Sequence, residues 1–226
     1  MFTPAGKLLH TIGQPGVKGT GLKPTLQFGN VADVDWTPDQ TKMVIVDGDG
    51  GPNNRAVELD TKSFELITSW GGLGGTATKG KFNISHGVAI DQCERVWVAD
   101  RANHRVQILD LAGKWLATWT CMAEPPYGVR MFGKSEAAAE AGAKGRVLVT
   151  GGGAPPAWPS GSNKLEILEF SMDCANPAEL GECMVVDALP ADHNSTAHFS
   201  AINEATQDIF LCEVGANKFK KYTTGL

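Results

Sequence analysis

The chain has 226 residues, of which 42% are hydrophobic and 20% are charged, and its formal net charge is −5 at pH 7. This composition is typical of a folded globular protein. The sequence contains no basic cluster, which argues against a nucleic-acid-binding surface, and no run of 18 or more apolar residues, so it predicts no membrane-spanning helix.

The first segment of the chain does not make a complete repeat. Residues 2–13 indicate the end of one strand, a turn and an outer strand. One expectation is that residues 7–12 pair with residues 219–222 and close a four-bladed ring. The other is that the chain is part of a larger propeller whose N-terminal blades are missing, since propellers typically have 4–8 blades.

Four repeated units follow, each built from short β-rich runs between Gly, Asn, Asp and Pro turns, which is the pattern of a four-stranded blade. The last unit has three runs and lacks an outer strand. The sequence therefore predicts an all-β propeller, with residues 1–226 as a single domain of about four blades. The predicted strands are 31–35, 43–47, 54–59 and 64–70; 87–91, 96–100, 105–109 and 115–119; 128–132, 147–150, 165–170 and 184–189; and 199–203, 209–213 and 219–222.

Two segments interrupt the third unit. Residues 135–145 are rich in Ala and Glu and are expected to be a helical or disordered insertion, and residues 151–162 are expected to be a long loop at a blade face. An Asn with an Arg or Lys recurs before each third strand, as in Asn54-Arg55 and Asn103 with Arg105. We interpret this pair as a turn residue and a solvated cation.

Two histidines occupy the same register of two units. After His86 and after His198 the chain has two intervening residues, then an Ala-Ile pair, and then Asp or Asn. Aligning the innermost strands places Asn30, His86, Tyr127 and His198 at equivalent positions, so His recurs in alternate blades. In a six-bladed ring, alternate blades lie about 120° apart and three such histidines would converge on the axis.

The run HGVAIDQCERVWVADRANHRVQILDLAGKWLATW resembles an NHL repeat along its full length. With WGGLGGTATKGKFNISHGVAID and VDGDGGPNNRAVELD, the chain resembles the lyase domain of peptidylglycine α-amidating enzymes, a six-bladed propeller. The resemblance implies cleavage of a peptidyl-α-hydroxyglycine to a peptide amide and glyoxylate. It also implies a zinc ion held by three histidines, of which His86 and His198 match two, and three imidazoles with an open fourth position suit a catalytic zinc. The third histidine would belong to a blade before residue 1, so the resemblance favours a fragment of a six-bladed propeller.

The chain departs from this family at its other functional positions. Asp49 stands where the family has a catalytic tyrosine after an Asp-Gly pair, so Asp49 and Tyr127 become the catalytic candidates, although a carboxylate is a weaker base than a tyrosinate. The family's substrate-binding arginine lies before residue 1, and Phe199 replaces an Asp that helps to hold calcium, which puts that calcium in doubt. The alternative function is a non-catalytic NHL scaffold that binds a protein or peptide partner on the propeller face. His104 and His193 are expected to be surface residues.

The five cysteines permit several arrangements. Cys174 and Cys183 flank a turn and could close a small loop, whereas Cys212 lies inside a predicted strand and is expected to be a small buried hydrophobe. An odd count leaves at least one thiol unpaired or paired elsewhere. Two Asn-X-Ser/Thr sequons, at Asn83 and Asn194, accompany the cysteines. The expected location is extracellular or in the secretory pathway.

Overall fold

A computed structural model describes residues 2–132, 143–152, 164–192 and 195–223. Within these ranges the chain forms fifteen strands and one 3-10 helix of three residues. The predicted insertion at 135–145 and the predicted loop at 151–162 lie largely outside the described residues, and so does His193. The described part contains no helix with the length and apolar character needed to cross a membrane.

The strands form four antiparallel sheets, each built from consecutive strands of the chain. This arrangement confirms the predicted four-bladed, all-β propeller architecture. Blade 1 contains β1 (Val31–Trp36), β2 (Lys42–Asp47), β3 (Arg55–Asp60) and β4 (Leu66–Gly71); blade 2 contains β5 (Ser85–Ile90), β6 (Val96–Asp100), β7 (Arg105–Leu109) and β8 (Trp115–Trp119). Blade 3 contains β9 (Pro126–Met131), β10 (Lys144–Gly151), β11 (Lys164–Ser171) and β12 (Val185–Pro190); blade 4 contains β13 (Thr196–Asn203), β14 (Asp208–Val214) and β15 (Lys218–Tyr222).

The blades follow one another around an axis that is lined by their first strands. Strand β5 contacts β1 and β9, and β9 contacts β13. Successive side chains of a strand point to opposite faces, so Val96 and Val98 pack towards blade 1 while Trp97 and Ala99 pack towards blade 3. Both faces of an inner blade are therefore apolar core.

The expectation that residues 7–12 pair with residues 219–222 is wrong for the described part of the chain. Leu8 forms its β-bridge with Phe2 instead. Residues farther along the same segment, Ile12, Leu26 and Phe28, pack on the apolar face of blade 1 that points away from blade 2. The apolar content of the segment is thus used to cover blade 1 and does not complete blade 4.

The sequence suggested that the Arg residues before the third strands of blades 1 and 2 are solvated cations, but both are buried. Arg105 is 2% exposed, and its Nε lies 2.6 Å from Asp100 Oδ2. Its guanidinium also donates hydrogen bonds to carbonyl oxygens of the linker before blade 2, including those of Thr78 and Lys81. Arg55 joins Asp47 to the preceding linker in the same way. The linker crosses each blade and presents carbonyl groups that need donors, which keeps both cations buried.

Two disulfides join blade 2 to the segment that connects β11 and β12 of blade 3: Cys93–Cys174 and Cys121–Cys183. The Cys174–Cys183 pair that the sequence permitted does not form, because this segment reaches across to blade 2 and brings its two cysteines to opposite ends of that blade. Cys212 is exposed and not buried, because its side chain points away from blade 3. The two disulfides are consistent with the oxidising secretory pathway.

Candidate functional site at the propeller axis

The inner strands β5 and β9 approach so closely that one position must be glycine. A Cβ atom added to Gly87 would lie 2.8 Å from both the Gly128 Cα and the Tyr127 carbonyl oxygen, which is too close for unbonded atoms. Any larger residue would push the strands apart. The close approach places the ring of His86 directly against the backbone of Tyr127.

His86 is buried and has a defined tautomer in its neutral form. Its Nδ1 lies 2.7 Å from the Tyr127 carbonyl oxygen, and its side chain is 1% exposed. A carbonyl oxygen can only accept, so Nδ1 donates and the neutral ring carries its lone pair on Nε2. Burial lowers the pKa of His86 below 6.5, and the hydrogen bond to Tyr127 opposes that shift more weakly. The imidazole is therefore neutral near pH 7.

His198 and Tyr127 complete an aromatic group around His86. The His86 and His198 ring centroids are 5.0 Å apart, and the His198 and Tyr127 centroids are 5.1 Å apart. The hydroxyl of Thr150 on the neighbouring blade donates to the His198 carbonyl oxygen at 3.0 Å and fixes β13. Burial lowers the pKa of His198, and the charge on a protonated His86 lowers it further. The two histidines thus oppose each other's protonation.

Asp49 lies over His86 in the turn that follows β2. Asn30 accepts hydrogen bonds from the Gly48 and Asp49 amides and donates from its side chain to the Asp49 carbonyl oxygen at 2.8 Å. Asp49 Oδ1 lies 3.8 Å from His86 Nε2 and 3.4 Å from Arg101 Nη1. The Arg101 guanidinium also lies 4.8 Å from the centre of the Tyr127 ring. The structure thus brings all four predicted site residues together; we call Asp49, His86, Arg101, Tyr127 and His198 the axial cluster.

Arg101 and the structural role of Asn30 were missed in the sequence. The register contained the signal for Arg101. Asp47 and Asp100 both end a second strand, so Arg101 occupies the position after Asp100 that corresponds to the turn bearing Asp49. Both turns lie at the same mouth of the axis, which is why their side chains meet.

Deeper in the axis, an ion pair joins blades that are not neighbours. Arg130 on β9 lies 2.7 Å from Asp33 on β1. Asp33 also accepts a hydrogen bond from the Val88 amide, which pairs with no strand on that side of β5. The ring of Phe199 stacks on His86 with centroids 5.6 Å apart. The side chain of Phe199 offers no oxygen ligand at this position.

The axial cluster offers only part of the zinc site that the lyase resemblance implies. It supplies two neutral imidazoles, and one carboxylate lies near only one of them. Throughout the described ranges, no group of three or more His, Cys, Asp or Glu side chains is arranged to hold a metal ion. These residues by themselves do not fit the three-histidine site. They do combine a cation, a carboxylate, a phenol and two neutral imidazoles. These groups can donate or accept hydrogen bonds and can stack on planar groups of a ligand.

Comparisons with known proteins support the repeat and name no activity. Residues 82–109 match the NHL repeat family. The chain is 35% identical over 226 residues to mouse NHL repeat-containing protein 3 and 34% identical to the human protein of that name. These matches cover 98% of this chain and 57% of each relative, so the chain spans little more than half of their length. Both names describe the repeat, and neither describes a lyase.

Solved structures share the fold at low sequence identity. A chain titled Kuenenia stuttgartiensis hydrazine synthase aligns with a TM-score of 0.53 and 10% identity, over 86% of this chain and 44% of that one. A chain from a mitotic checkpoint complex aligns with a TM-score of 0.57 and 13% identity, over 86% and 49%. These likenesses show the propeller fold alone.

Proposed function

We propose that this NHL-repeat β-propeller is a non-catalytic scaffold that binds a peptide segment of a protein partner at the axial cluster. The observation that supports this proposal is the convergence of unlike polar groups from four blades at one mouth of the axis. Propeller faces are rigid platforms for such groups, and binding residues are commonly carried by loops on a rigid scaffold.

The two charged residues are the groups that a peptide would meet first. The Asp49 side chain is 44% exposed and that of Arg101 is 23% exposed, whereas His86 is buried beneath them. Arg101 offers a planar set of donors for a carboxylate or a backbone carbonyl, and Asp49 accepts from amides or a lysine. His86 positions the neighbouring rings and does not itself reach the peptide.

An array of randomised dodecapeptides, followed by titration of the best binder by fluorescence anisotropy, tests the proposal. We expect Arg101→Gln to weaken binding by about tenfold or more, which is about 1.4 kcal/mol. Lys114→Gln is the matched control, because Lys114 is an exposed cation on the outer turn of the same blade. The proposal fails if no peptide binds, or if the Arg101 and Lys114 variants bind equally well.

A zinc-dependent lyase of the α-hydroxyglycine type is the second candidate, and the tautomer of His86 favours it. An imidazole that donates one N–H to a backbone carbonyl and keeps its other nitrogen unprotonated is the usual arrangement of a zinc ligand. The third imidazole would come from a further blade. We expect residues 1–226 alone to bind zinc weakly and to release little or no glyoxylate, because an absent positioned base typically costs about 10²–10⁴-fold.

Isothermal titration with zinc, and glyoxylate release from a peptidyl-α-hydroxyglycine, separate the two candidates. Zinc binding that is lost in both His86→Gln and His198→Gln would support the metal site. Chelator-sensitive turnover by a longer polypeptide that includes the further blade would favour the lyase over the peptide-binding scaffold. Robust turnover by residues 1–226 alone would contradict the expectation above, since other residues of the chain would then carry the chemistry.

We also propose that the protein is extracellular or resides in the secretory pathway. The support is the pair of disulfides, since such bonds persist in oxidising compartments. Differential alkylation of the protein from its own cells tests this: Cys93, Cys121, Cys174 and Cys183 should react only after reduction. Reaction of all four without reduction would place the protein in a reducing compartment.

A further inference from the structure

Asn83 lies in the linker before blade 2 and begins the sequon Asn83-Ile84-Ser85. Its backbone is held on both sides: the amide donates to Asp100 Oδ1 at 2.7 Å, and the carbonyl oxygen accepts from the Ala102 amide at 3.0 Å. Its side chain is half-buried and makes no hydrogen bond to any residue that the structure describes. The carboxamide of Asn83 is therefore used neither by the fold nor by the axial cluster.

The hydroxyl of Ser85, the third residue of the sequon, is buried without a partner. Ser85 is 0% exposed, and its Oγ has no hydrogen-bond partner among the described residues. A buried hydroxyl that lacks a partner destabilises the folded state relative to an apolar group of similar size. Packing alone therefore favours alanine over serine at this position.

The equivalent position in the other blades carries no hydroxyl. Ser85 on β5 lies opposite Asp100, the last residue of β6. The corresponding pairs at the start of the other inner strands are Val31 with Asp47, Pro126 with Gly151 and Ala197 with Glu213. A blade of this repeat therefore forms without a hydroxyl here. A hydroxyl two residues after an asparagine is, however, what N-glycosylation requires.

The sequon is closed once blade 2 has folded. Ile84 has a φ of 62°, in the left-handed region that β-branched residues rarely adopt, and its amide donates to Asn54 Oδ1 at 2.7 Å. Because Ser85 is buried as well, an enzyme could read the Asn-X-Ser pattern only in the unfolded chain. The Asn83 side chain stays partly in water after folding, so a group attached to it beforehand need not disrupt the blade.

Asn83 stands at the rim of the axial mouth. The Arg101 amide donates to the Ile84 carbonyl oxygen at 3.0 Å, and the next amide, that of Ala102, donates to the Asn83 carbonyl oxygen. Arg101 is the cation of the axial cluster and one of the two charged residues at its surface. A group attached to Asn83 would therefore lie beside the side chains that a peptide would meet first.

We propose that Asn83 carries an N-linked oligosaccharide whose first sugar lies at the rim of the axial mouth. In the transfer, Asn83 Nδ2 gives up a proton and bonds to the anomeric carbon of an oligosaccharide that is carried on a lipid diphosphate. The bond from that carbon to the phosphate breaks, and the lipid diphosphate leaves. The site rests on the proposed secretory location, since the lipid-linked donor is found in that pathway.

Enzymatic removal of the sugar tests the site directly. The protein from its own cells is denatured and treated with peptide N-glycosidase in heavy-oxygen water, which converts each glycosylated asparagine to a labelled aspartate that mass spectrometry detects. We expect the label at Asn83. The variant Ser85→Ala, produced in the same cells, should lose this label although the asparagine is unchanged, and Ser85→Thr should keep it.

A matched pair of variants tests whether the Ser85 hydroxyl serves the fold instead. Asn83→Gln and Ser85→Ala should both lack the oligosaccharide, so the difference between their Tm values isolates the hydroxyl. We expect the Tm of Ser85→Ala to equal or exceed that of Asn83→Gln. A Tm that is lower by more than about 3 °C would show that the hydroxyl stabilises the blade and would contradict the proposal.

Absence of the label at Asn83 would overturn the proposal. If Cys93, Cys121, Cys174 and Cys183 are then found oxidised, the secretory location stands and only the glycosylation site fails; if they are found reduced, both fail. Label at Asn194 alone, in the second sequon, would also overturn the proposal, because the chain would then be glycosylated while Asn83 is passed over. Asn194 lies outside the described residues.

Discussion

Blades 2 and 4 have the same repeat and the same register, yet their side chains experience opposite environments. Blade 2 has four strands and is apolar on both faces, with a buried Asp–Arg pair that fastens the preceding linker. Blade 4 has three strands, one free face, and surface lysines in place of the buried arginine. The comparison teaches that the repeat specifies strands and pairing, whereas neighbouring blades decide which positions become core.

The largest expected difference between the two blades concerns their central aromatic residues. Trp97→Ala should lower the free energy of unfolding by about 3–5 kcal/mol, because a fully buried ring leaves a cavity between blades 2 and 3. The equivalent Phe210→Ala should cost less than about 1 kcal/mol in the 226-residue chain, since that ring is partly in water. Urea unfolding measures both; equal losses would mean that the blade 4 face is covered.

Substituting the cations that precede the third strands should change the free energy of unfolding by a smaller amount. Arg105→Ala should cost about 3 kcal/mol, because Asp100 would remain buried without its cation. Asn103 and Gln107 still donate to Asp100 and limit the loss. Lys218→Ala in blade 4 should cost less than about 1 kcal/mol, since its pair with Asp192 is exposed. A large loss for Lys218 would show that the two clusters are more alike than their burial indicates.

The disulfides bear on the same comparison, because they fasten blade 3 to blade 2 and leave blade 4 untouched. Replacing Cys121 and Cys183 together by Ser should lower the free energy of unfolding by about 2–4 kcal/mol, since the pair closes a loop with a sequence separation of 62 residues. Cys212→Ser, the control in blade 4, should change it by less than about 0.5 kcal/mol. Comparable losses in the two variants would argue that Cys212 is buried.

The smallest effect is a pH dependence at the axis, where blades 2 and 4 meet. Burial depresses the folded-state pKa values of His86 and His198 below 6.5. As pH falls through 6.5, the unfolded chain takes up protons that the folded chain does not, so the free energy of unfolding decreases. This free energy is fully regained above the pKa that the histidines have in the unfolded chain. Its slope against pH cannot exceed about 1.4 kcal/mol per pH unit for each histidine.

His86→Gln isolates this contribution, because a glutamine amide can still donate to the Tyr127 carbonyl oxygen. Urea titrations between pH 5.5 and 7.5 should show a shallower slope for the variant than for the parent chain. An unchanged slope would mean that His86 does not titrate differently in the folded and unfolded states.

Much of the candidate site was predictable from the repeat register. His86, Tyr127 and His198 begin equivalent inner strands, and such positions face the same axis whatever the blade sequence. Asp49 was identified by the family resemblance, because it follows an Asp-Gly pair in the turn after the second strand. The register could not show that Arg101 would pair with Asp49, because that contact joins turns of two blades, nor that Asn30 would hold the Asp49 turn.

The sequence by itself determined the strands, their antiparallel order and the blade count, because strand alternation and turn residues act over a few positions. Only the tertiary structure decided the disulfide partners, the burial of Arg55 and Arg105, the exposure of Cys212 and the place of the N-terminal segment on blade 1. Each of these depends on contacts between segments far apart in the chain. Local patterns carry no record of such contacts, since the same repeat can face another blade, its own linker or water.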